Sequence, residues 1–379
     1  MNFDWTDQER SLRTRVAEVF DESARQELDL MEDAQPSELK EIVSKYLKPL
    51  AGTGYLELAV GLPDRGGMTA LIAAQELPAR ISGSLFLSVE VTARIFAGLL
   101  SVPDAPEQIR EILEAVSKGE IVGAAAVTEP ALPDSAAVMT TAAWPDGDHY
   151  LVSGRKDFVT NGPIADYTAV VGLVEENPAV FVVEAGSDGL LVGPRIRTLG
   201  YNGLAVSSLE LNECRVPRSR VLGPFTDGAV LDGIRLVQDL ILAVASVGLM
   251  QRTTDAAKAY SRSHERGGKP VAAHQEIRFK LAEMLTLTHA AQLLTHRAGW
   301  MYAEAEREAE TLVRCAKVFA AEASERTANL AMQILAGQGY VWGNVVERGY
   351  REAKYAALAG TTSEIARMSI ADDLLTRYR

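Results

Sequence analysis

The sequence predicts a mostly helical α+β protein in three parts. Helical periodicity dominates to about residue 118, short β-rich runs with frequent turns follow to about 227, and long helical patterns fill the remainder. We therefore expect an N-terminal helical domain over residues 1–118, a small antiparallel β-barrel or sandwich domain over 119–227 and a C-terminal bundle of long helices over 228–379. A chain of 379 residues, 47% of them hydrophobic, is long enough to bury the cores of such domains.

The first part is predicted to be a series of short helices. Thr6 and Glu9 form a capping box, in which the Thr6 hydroxyl accepts from the Glu9 amide and the Glu9 side chain reaches back to the Thr6 amide. Leu12, Val16 and Phe20 then mark one apolar helix face. Further helical runs are predicted over 37–49, 67–82, 86–101 and 106–117, with a break at 62–67 that contains proline and glycine.

The middle part is predicted to be a small sheet. Runs rich in β-branched and apolar residues carry the strand signal, at 121–127, 150–153, 167–174, 179–183 and 207–211. Turn clusters at 145–148 and 186–189 separate some of these runs. Short strands joined by frequent turns are typical of an antiparallel barrel or sandwich.

The last part is predicted to be a bundle of long helices. Nearly unbroken helical patterns cover 236–264, 275–305 and 309–335, a glycine-rich link follows at 336–339, and a final helix covers 362–377. The apolar run at 240–250 is too short to span a bilayer and is interpreted as a buried helix. We therefore expect no membrane insertion.

Composition and cysteine usage exclude several function classes. With 51 acidic and 38 basic residues the net charge is -13, which disfavours nucleic-acid binding because phosphate contact needs a basic face. Cys214 and Cys315 lie far apart and match no metal-ligand spacing, so no metal site is expected. The first residues show no basic segment followed by an apolar run, so no secretory signal is expected and the predicted location is cytoplasmic.

Four short segments stand in a definite order along the chain. They are Thr128-Glu129-Pro130, Phe158-Val159-Thr160-Asn161-Gly162, Arg351-Glu352-Ala353-Lys354 and Gly360-Thr361-Thr362-Ser363-Glu364-Ile365-Ala366-Arg367. In content and order these segments resemble the flavin-dependent acyl-CoA dehydrogenase family, and the similarity spans nearly the whole chain. The resemblance implies FAD as the cofactor, an acyl-CoA or acyl-carrier-protein thioester as the substrate and an electron-transfer protein as a partner.

The resemblance also implies which residues contact the flavin. In this family the segment that begins at Thr128 and the segment that ends at Gly162 both lie against the isoalloxazine ring. A second group of residues belongs to stretches near a flavin of the same or the neighbouring subunit: Gln333, Gly337, Thr362 and Glu364. A reduced flavin needs hydrogen-bond donors near its pyrimidine edge and a shield over one ring face. The resemblance supplies these from Ala125, Val127, Thr128, Phe158, Val159 and Thr160.

The family's proton-abstracting glutamate is missing from this chain. Its usual position holds Gly360, and the alternative position used by some relatives, on the long helix after the β-domain, holds Gln238. Neither residue is a base. Asp239 is the remaining carboxylate near the implied site, and the apolar run that follows it would raise its pKa, as suits a general base. The competing interpretation is a structural aspartate paired with Arg235 one turn earlier.

Two further departures affect the phosphate-binding regions implied by the resemblance. The family's serine near the acyl-CoA phosphate region falls on Asp134, so Ser135 is the predicted substitute. The family's arginine toward the neighbour's flavin falls on His264. Substrate contacts are therefore expected from Ser135, Gln238, Asp239, Gly360 and Thr361.

Three functions remain open at this point. The first is α,β-dehydrogenation of an acyl thioester with a relocated or non-standard base. The second is a non-catalytic subunit of a heteromeric acyl-CoA dehydrogenase. The third is a non-redox acyl-thioester lyase on the same scaffold. The resemblance further implies an oligomer, either a homotetramer or a hetero-oligomer with a related subunit.

Overall fold

The computed structural model describes residues 6–20, 22–60, 81–130, 139–226 and 229–377. Helices precede and follow a central sheet, and the predicted α+β, mostly helical fold class is confirmed. The N-terminal helices are α1 (Asp7–Glu18), α2 (Glu22–Asp29), α3 (Pro36–Gly52), α4 (Tyr55–Val60), α5 (Gly83–Glu90), α6 (Ala97–Leu100) and α7 (Glu107–Ser117). A π-helical turn, Val91–Phe96, joins α5 to α6 without a break.

The start of α1 confirms the predicted capping box. The Glu9 amide donates to the Thr6 hydroxyl at 3.2 Å, and the Thr6 amide donates to the Glu9 carboxylate at 2.8 Å. These two bonds satisfy donors that the first helical turn leaves open. Leu12 and Val16 lie buried one turn apart, as their spacing predicts.

The helical segment 83–100 is buried except at Val91, which is partly exposed. It begins three residues before the predicted 86–101 run because the Ser82 hydroxyl accepts from the Leu85 amide at 3.3 Å and caps the helix. The run predicted over 67–82 and the break at 62–67 fall almost entirely outside the described residues.

Strands β1 to β8 form one sheet. Their spatial order is β6-β7-β3-β2-β4-β5-β8, and β1 pairs with β4. The β1–β4 and β2–β4 pairings are parallel, so the sheet is mixed, whereas the sequence predicted an antiparallel one. The strands are β1 (Gly123–Ala126), β2 (Ala142–Asp146), β3 (His149–Thr160), β4 (Tyr167–Val174), β5 (Asn177–Glu184), β6 (Leu190–Val192), β7 (Val206–Pro217) and β8 (Val221–Leu222).

Strand β2 was not predicted, and the turn at 145–148 is shorter than expected. Asp146 pairs with His149 in the antiparallel ladder, which leaves only Gly147 and Asp148 in the turn. Gly147 takes the left-handed φ of 57° that a two-residue hairpin loop requires. Pro145 and Asp146 have low strand propensity, and pairing with β3 overrides it.

Three of the C-terminal helices follow the predicted bounds closely, whereas the first begins seven residues before the predicted 236–264 run and the two short helices between 345 and 358 were not predicted. The bounds of the C-terminal helices are α8 (Ala229–Ser263), α9 (Gln275–Ala303), α10 (Ala309–Leu335), α11 (Val345–Ala353), α12 (Tyr355–Leu358) and α13 (Ser363–Arg377). A short antiparallel pair, β9 (Glu265–Arg266) and β10 (Lys269–Pro270), connects α8 to α9. By length and composition, 83–100 and the greater part of α8 could each span a membrane, but most of their residues are buried within the chain, as in core helices.

Asn161 joins the sheet to the buried segment 83–100. Its side-chain amide donates to the Ser88 carbonyl at 2.9 Å and to the Gly123 carbonyl at 3.0 Å, and its side-chain oxygen accepts from the Ser88 hydroxyl at 2.6 Å. Asn161 has a φ of 65°, a conformation that asparagine tolerates better than most residues. The end of β3 is thereby fixed against the N-terminal helices, and the functional cavity lies at this junction.

Candidate active site

A cavity of about 170 Å³ lies where the sheet, segment 83–100 and helix α8 meet. Leu87, Val91 and Ile95 face it from one side at a spacing of four residues. Helix α8 contributes a stripe at spacings of three and four, and the chain after α11 closes the end. These two groups are Leu231, Ile234, Arg235, Gln238, Ile241 and Leu242 on α8, and Tyr355, Gly360 and Thr361 after α11.

The sheet wall of the cavity gathers most of the residues predicted to contact a flavin. Ala125, Val127 and Thr128 line it from the end of β1, and Phe158 and Thr160 line it from β3. Residues 125 and 127 face the cavity because β1 alternates, with Ala124 and Ala126 buried in the sheet core. Residues more than 30 positions apart in sequence are thus brought to one surface.

A β-bulge directs Phe158 into the cavity. The β3–β7 register shifts between Lys156 and Val159, so two residues of β3 stand opposite one of β7. Phe158 has a φ of 55°, and its side chain is 66% exposed. The next residue, Val159, points the other way into the sheet core at 1% exposure, so its side chain does not line the cavity.

A buried ion pair fixes the two strand ends that carry this wall. Lys156 Nζ lies 2.7 Å from the Glu129 carboxylate and also donates to the Val127 carbonyl at 3.2 Å, with both charged side chains almost fully buried. Glu129 also accepts from the Thr140 amide at 2.7 Å and the Thr141 amide at 3.0 Å. The cavity-lining Thr128 therefore sits between two residues whose positions are held by Lys156.

The pKa values of Lys156 and Glu129 are both lowered from their ordinary values. Burial lowers the pKa of Lys156 to about 8 against the opposing effect of Glu129. Burial alone would raise the pKa of Glu129, but hydrogen bonds from Lys156, Thr140 and Thr141 outweigh it and lower the pKa to about 2. Glu129 is therefore ionised at neutral pH, and its carboxylate is occupied by structural hydrogen bonds.

The donors on this wall fit a flavin. Within the described part of the chain, neither the Thr128 amide nor its hydroxyl has a hydrogen-bond acceptor, although both belong to a residue that lines the cavity. An exposed aromatic ring, Phe158, lies on the same wall, and Thr160 follows two residues later. Open donors beside an uncovered ring surface match what a flavin edge and face need.

Asp239 lies behind the part of the cavity wall formed by Gly360 and Thr361. It is 1% exposed, and its Oδ1 accepts from the Thr361 amide at 2.9 Å. A Cβ added at Gly360 would lie 2.6 Å from this same Oδ1. The carboxylate thus occupies the space that a side chain at position 360 would fill, next to Gln238, Gly360 and Thr361 in the cavity wall.

Burial raises the pKa of Asp239, against the lowering effects of the Thr361 hydrogen bonds and of the Lys317 and Arg314 charges. The alternative partner, Arg235, lies 3.9 Å from Asp232 instead. The predicted Asp239–Arg235 pair is therefore wrong, because Arg235 faces the cavity while Asp239 turns toward the Thr361 backbone.

Some of the predicted site residues lie away from the cavity. Gln333 is exposed in the last turn of α10, Gly337 is exposed in the 3-10 turn that follows it, and Glu364 is exposed in the first turn of α13. The Thr362 hydroxyl accepts from the Ile365 amide at 3.4 Å and caps α13. Ser135 lies outside the described residues. A contact of the exposed residues with a neighbouring subunit's cofactor stays a prediction.

The sequence did not reveal Lys317 or Tyr355 as site residues. Lys317 is fully buried on α10, and its Nζ donates to the Thr361 carbonyl. The helical spacing could have indicated that Lys317 is buried, since it shares a helix face with Val313 and Ala320, which are fully buried. Tyr355 lines the cavity beside Thr160 and packs edge-on against Tyr201 at 5.2 Å.

Replacing Gly360 by alanine is expected to cost more stability than replacing Gly147. Both glycines have left-handed φ, 63° and 57°, so each alanine carries a backbone cost of about 1–2 kcal/mol. Nothing lies within 4 Å of a Cβ at 147, whereas one at 360 meets Asp239 Oδ1 and, at 3.0 Å, Leu242. Urea unfolding should show an extra loss of roughly 1–3 kcal/mol for Gly360→Ala. Equal losses would contradict the placement of the Asp239 carboxylate.

Comparisons with known proteins agree with this architecture. Residues 124–214 match the family model of the acyl-CoA dehydrogenase middle domain, and residues 238–375 match that of the C-terminal domain. The human mitochondrial short-chain specific acyl-CoA dehydrogenase is 30% identical over 345 residues, which cover 88% of this chain and 83% of that protein. The caffeyl-CoA reductase-Etf complex subunit CarC of Acetobacterium woodii is 28% identical over 381 residues, covering 97% and 95%.

A solved structure shows the same fold over the whole chain. Butyryl-CoA dehydrogenase from Megasphaera elsdenii superposes with a TM-score of 0.88 at 23% identity, covering 99% of this chain and 100% of that one.

Proposed function

Because the chain belongs to the acyl-CoA dehydrogenase family, we propose that it is an FAD-dependent oxidoreductase that removes hydrogen from Cα and Cβ of an acyl thioester. We further propose that Asp239 is the base that takes the Cα proton in place of the side chain missing at Gly360. One observation carries this assignment, the position of Asp239 Oδ1 within 2.6 Å of where a Cβ on residue 360 would lie. On this proposal the carboxylate is supplied by helix α8 and not by residue 360.

On this proposal the walls of the cavity bind different groups. Thr128, Phe158 and Thr160 would hold FAD on the sheet side. FAD, when bound, supplies the acceptor for the hydride that leaves Cβ. The apolar side chains of Leu87, Val91 and Ile95 would exclude water from the acyl chain opposite.

Asp239 has the properties that proton abstraction requires. Burial raises the pKa of its carboxyl, which makes the carboxylate a stronger base than an exposed aspartate. The Thr361 amide at 2.9 Å fixes one oxygen, so the carboxylate is oriented before substrate binds. Gly360 has no Cβ, which leaves space for the Asp239 Oδ1 beside the cavity wall.

A second candidate, a non-catalytic subunit of a heteromer, is favoured by a different observation. Asp239 is 1% exposed and stands behind the residues that line the cavity. An aspartate bonded to a backbone amide in this way also serves as a purely structural tie. Gln333 and Gly337 remain exposed and available to a neighbouring subunit.

The partners proposed for the chain follow the family. The thioester is carried by CoA or by an acyl-carrier protein, and an electron-transfer protein re-oxidises the flavin, in line with the relative named as a subunit of a caffeyl-CoA reductase-Etf complex. We also propose a homotetramer or a hetero-oligomer with a related subunit. Exposed apolar side chains on the long C-terminal helices, including Phe279, Leu285, Leu293 and Phe319, offer surface for such contacts.

Absorbance of the purified protein tests the proposal. We expect flavin bands that bleach when one member of an acyl-CoA panel is added without an external electron acceptor, since hydride then remains on the flavin. Bands that persist while the thioester is converted would support the lyase instead. A protein that stays colourless after addition of FAD would contradict the proposal and favour the non-catalytic subunit, and the next experiment would be co-purification of its competent partner.

A further inference from the structure

A lysine with no exposed surface lies on the far side of the turn that carries Gly360 and Thr361. Lys317 is 0% exposed on α10, among alanines and Val313. Burying an ammonium group is costly unless it gains strong hydrogen bonds or a nearby opposite charge. A lysine at such a position therefore contributes something that an apolar residue of the same length would not.

Lys317 acts on the turn through the backbone of Thr361. Its Nζ donates to the Thr361 carbonyl, while the Thr361 amide donates to Asp239 Oδ1 at 2.9 Å. One residue is thus held from both sides, by a cation from α10 and by a carboxylate from α8. Glycine at position 360, directly before Thr361, has more backbone freedom than other residues. The two contacts of Thr361 therefore fix the turn.

We propose that Lys317 is a positioning residue, which fixes Thr361 so that the Asp239 carboxylate is held beside Gly360. This inference rests on the proposed role of Asp239 as the base. Lys317 itself does not line the cavity and is assigned no contact with the substrate.

The charges that act on Asp239 agree with this role. Among the described residues, Lys317 and then Arg314 lower the pKa of Asp239 and so favour its ionised form, against the larger effect of burial. Arg314 lies one turn before Lys317 on the same helix, but it is partly exposed and lies 2.6 Å from Glu310. Its effect is therefore shared with Glu310 and solvent, whereas Lys317 is enclosed beside the turn.

Two substitutions separate the charge of Lys317 from its hydrogen bond. Lys317→Gln keeps a donor for the Thr361 carbonyl and removes the charge, while Lys317→Met removes both at similar length. The Lys317→Gln variant also serves as the better-folding form if methionine leaves the Thr361 carbonyl without a partner. Arg314→Gln is the matched neutralisation one turn away, and Arg326→Gln, on an exposed part of the same helix, is the control.

The measurement is an infrared titration of the protonated carboxyl band in the full-length protein, with the Asp239 signal identified by its absence in Asp239→Asn. We expect both Lys317 variants to raise the midpoint of the Asp239 titration by about one pH unit or more. A shift of one unit corresponds to a tenfold lower acid dissociation constant of the carboxyl. Lys317→Met should shift it at least as far as Lys317→Gln, Arg314→Gln should shift it less, and Arg326→Gln should leave it in place. The proposal would be overturned if the Asp239 titration midpoints of the two Lys317 variants equalled that of Arg326→Gln.

This readout needs neither substrate nor turnover, so it separates the two proposals. If the midpoints shift as expected while no thioester bleaches the flavin, Lys317 positions a carboxylate that is not a catalytic base, and the proposed function fails alone. If the flavin bleaches in an Asp239-dependent manner while the Lys317 variants titrate as the wild type does, the positioning role fails alone.

Discussion

Replacing Asp239 by asparagine is expected to slow flavin reduction by the bleaching thioester about 10²- to 10⁴-fold, the range that loss of a general base produces. Asparagine keeps an oxygen that accepts from the Thr361 amide at nearly the same volume, so the turn is expected to stay in place. Flavin content should be unchanged, because Asp239 is buried on α8 and does not line the cavity, whereas Thr128 and Phe158 lie on the sheet wall. Stopped-flow absorbance measures the rate and the flavin content in the same sample.

Two further variants sharpen this result. Asp255→Asn makes the same change at an exposed position of α8, where the carboxylate faces Lys258 at 4.0 Å, and should leave the rate unaltered. Adding Gln238→Glu to Asp239→Asn places a carboxylate one residue earlier, on a side chain that does line the cavity, and is expected to restore part of the rate. A full rate in Asp239→Asn would exclude Asp239 as the base.

The pH dependence of Asp239 has a definite sign. Because its pKa in the folded protein is raised above the ordinary 3.8, flavin reduction should fall on the acid side at a pH above that value as the carboxylate takes up a proton. A raised carboxyl pKa means that the folded state holds its proton more tightly than the unfolded state. The associated stability is present below pH 3.8 and is lost as the pH rises through the folded value. The free energy of unfolding of Asp239→Asn at neutral pH should therefore be at least as large as that of the wild type, which urea unfolding measures.

Replacing Lys156 by methionine is expected to lower the free energy of unfolding by about 3–5 kcal/mol, the range for removing one partner of a buried ion pair. The loss arises because the Glu129 carboxylate would stay buried without its cation. Val127 would also lose the donor to its carbonyl, so FAD binding beside Thr128 is expected to weaken. Urea unfolding of the apoprotein and FAD titration measure the two effects separately.

The pH dependence of this effect follows from Glu129. Its pKa of about 2 lies below the ordinary 4.5, so the stability it contributes is present above pH 4.5 and is lost as the pH falls through about 2. The difference between the wild type and Lys156→Met should therefore be largest near neutral pH and shrink on acidification. An unchanged difference across that interval would show that packing, rather than charge, accounts for the loss.

Matched variants identify the source of the loss. Glu129→Gln added to Lys156→Met removes the unpaired charge and should recover part of the stability. Lys118→Met breaks a solvent-exposed pair, with Lys118 2.6 Å from Glu114, and should change the unfolding curve little. A Lys156→Met protein as stable as the Lys118→Met protein would contradict the structural role of the buried pair.

Local patterns in the sequence predicted most of the elements. The long helices α9 and α10 begin where predicted and end within two residues of the prediction, and strand β4 matches it, because each has a strong period and clear ends. Strand β2 was missed, since Pro145 and Asp146 argue against a strand and only pairing with β3 makes one. The parallel pairings of β4 were missed for the same reason, as they join segments that no local pattern relates.

The candidate site was predictable in part. The resemblance to a family predicted Thr128, Phe158 and Thr160 as site residues, and the structure brings them to the same cavity as Gln238, Gly360 and Thr361. The resemblance also predicted that Gly360 stands where the family's glutamate is expected, which stays a prediction. Helical spacing then suggested Arg235 as the partner of Asp239, because residues four apart share a helix face.

The sequence by itself determined the fold class, and its resemblance to a family predicted that Gly360 and Gln238 stand where relatives carry a glutamate and that Asp239 is the candidate base. The tertiary structure decided what the Asp239 carboxylate contacts. Asp239 meets the Thr361 amide 122 residues away, and Lys317 meets the Thr361 carbonyl 44 residues away. Contacts across such separations depend on how α8, α10 and the turn at Gly360 pack together, and helical or strand periodicity carries no information about them.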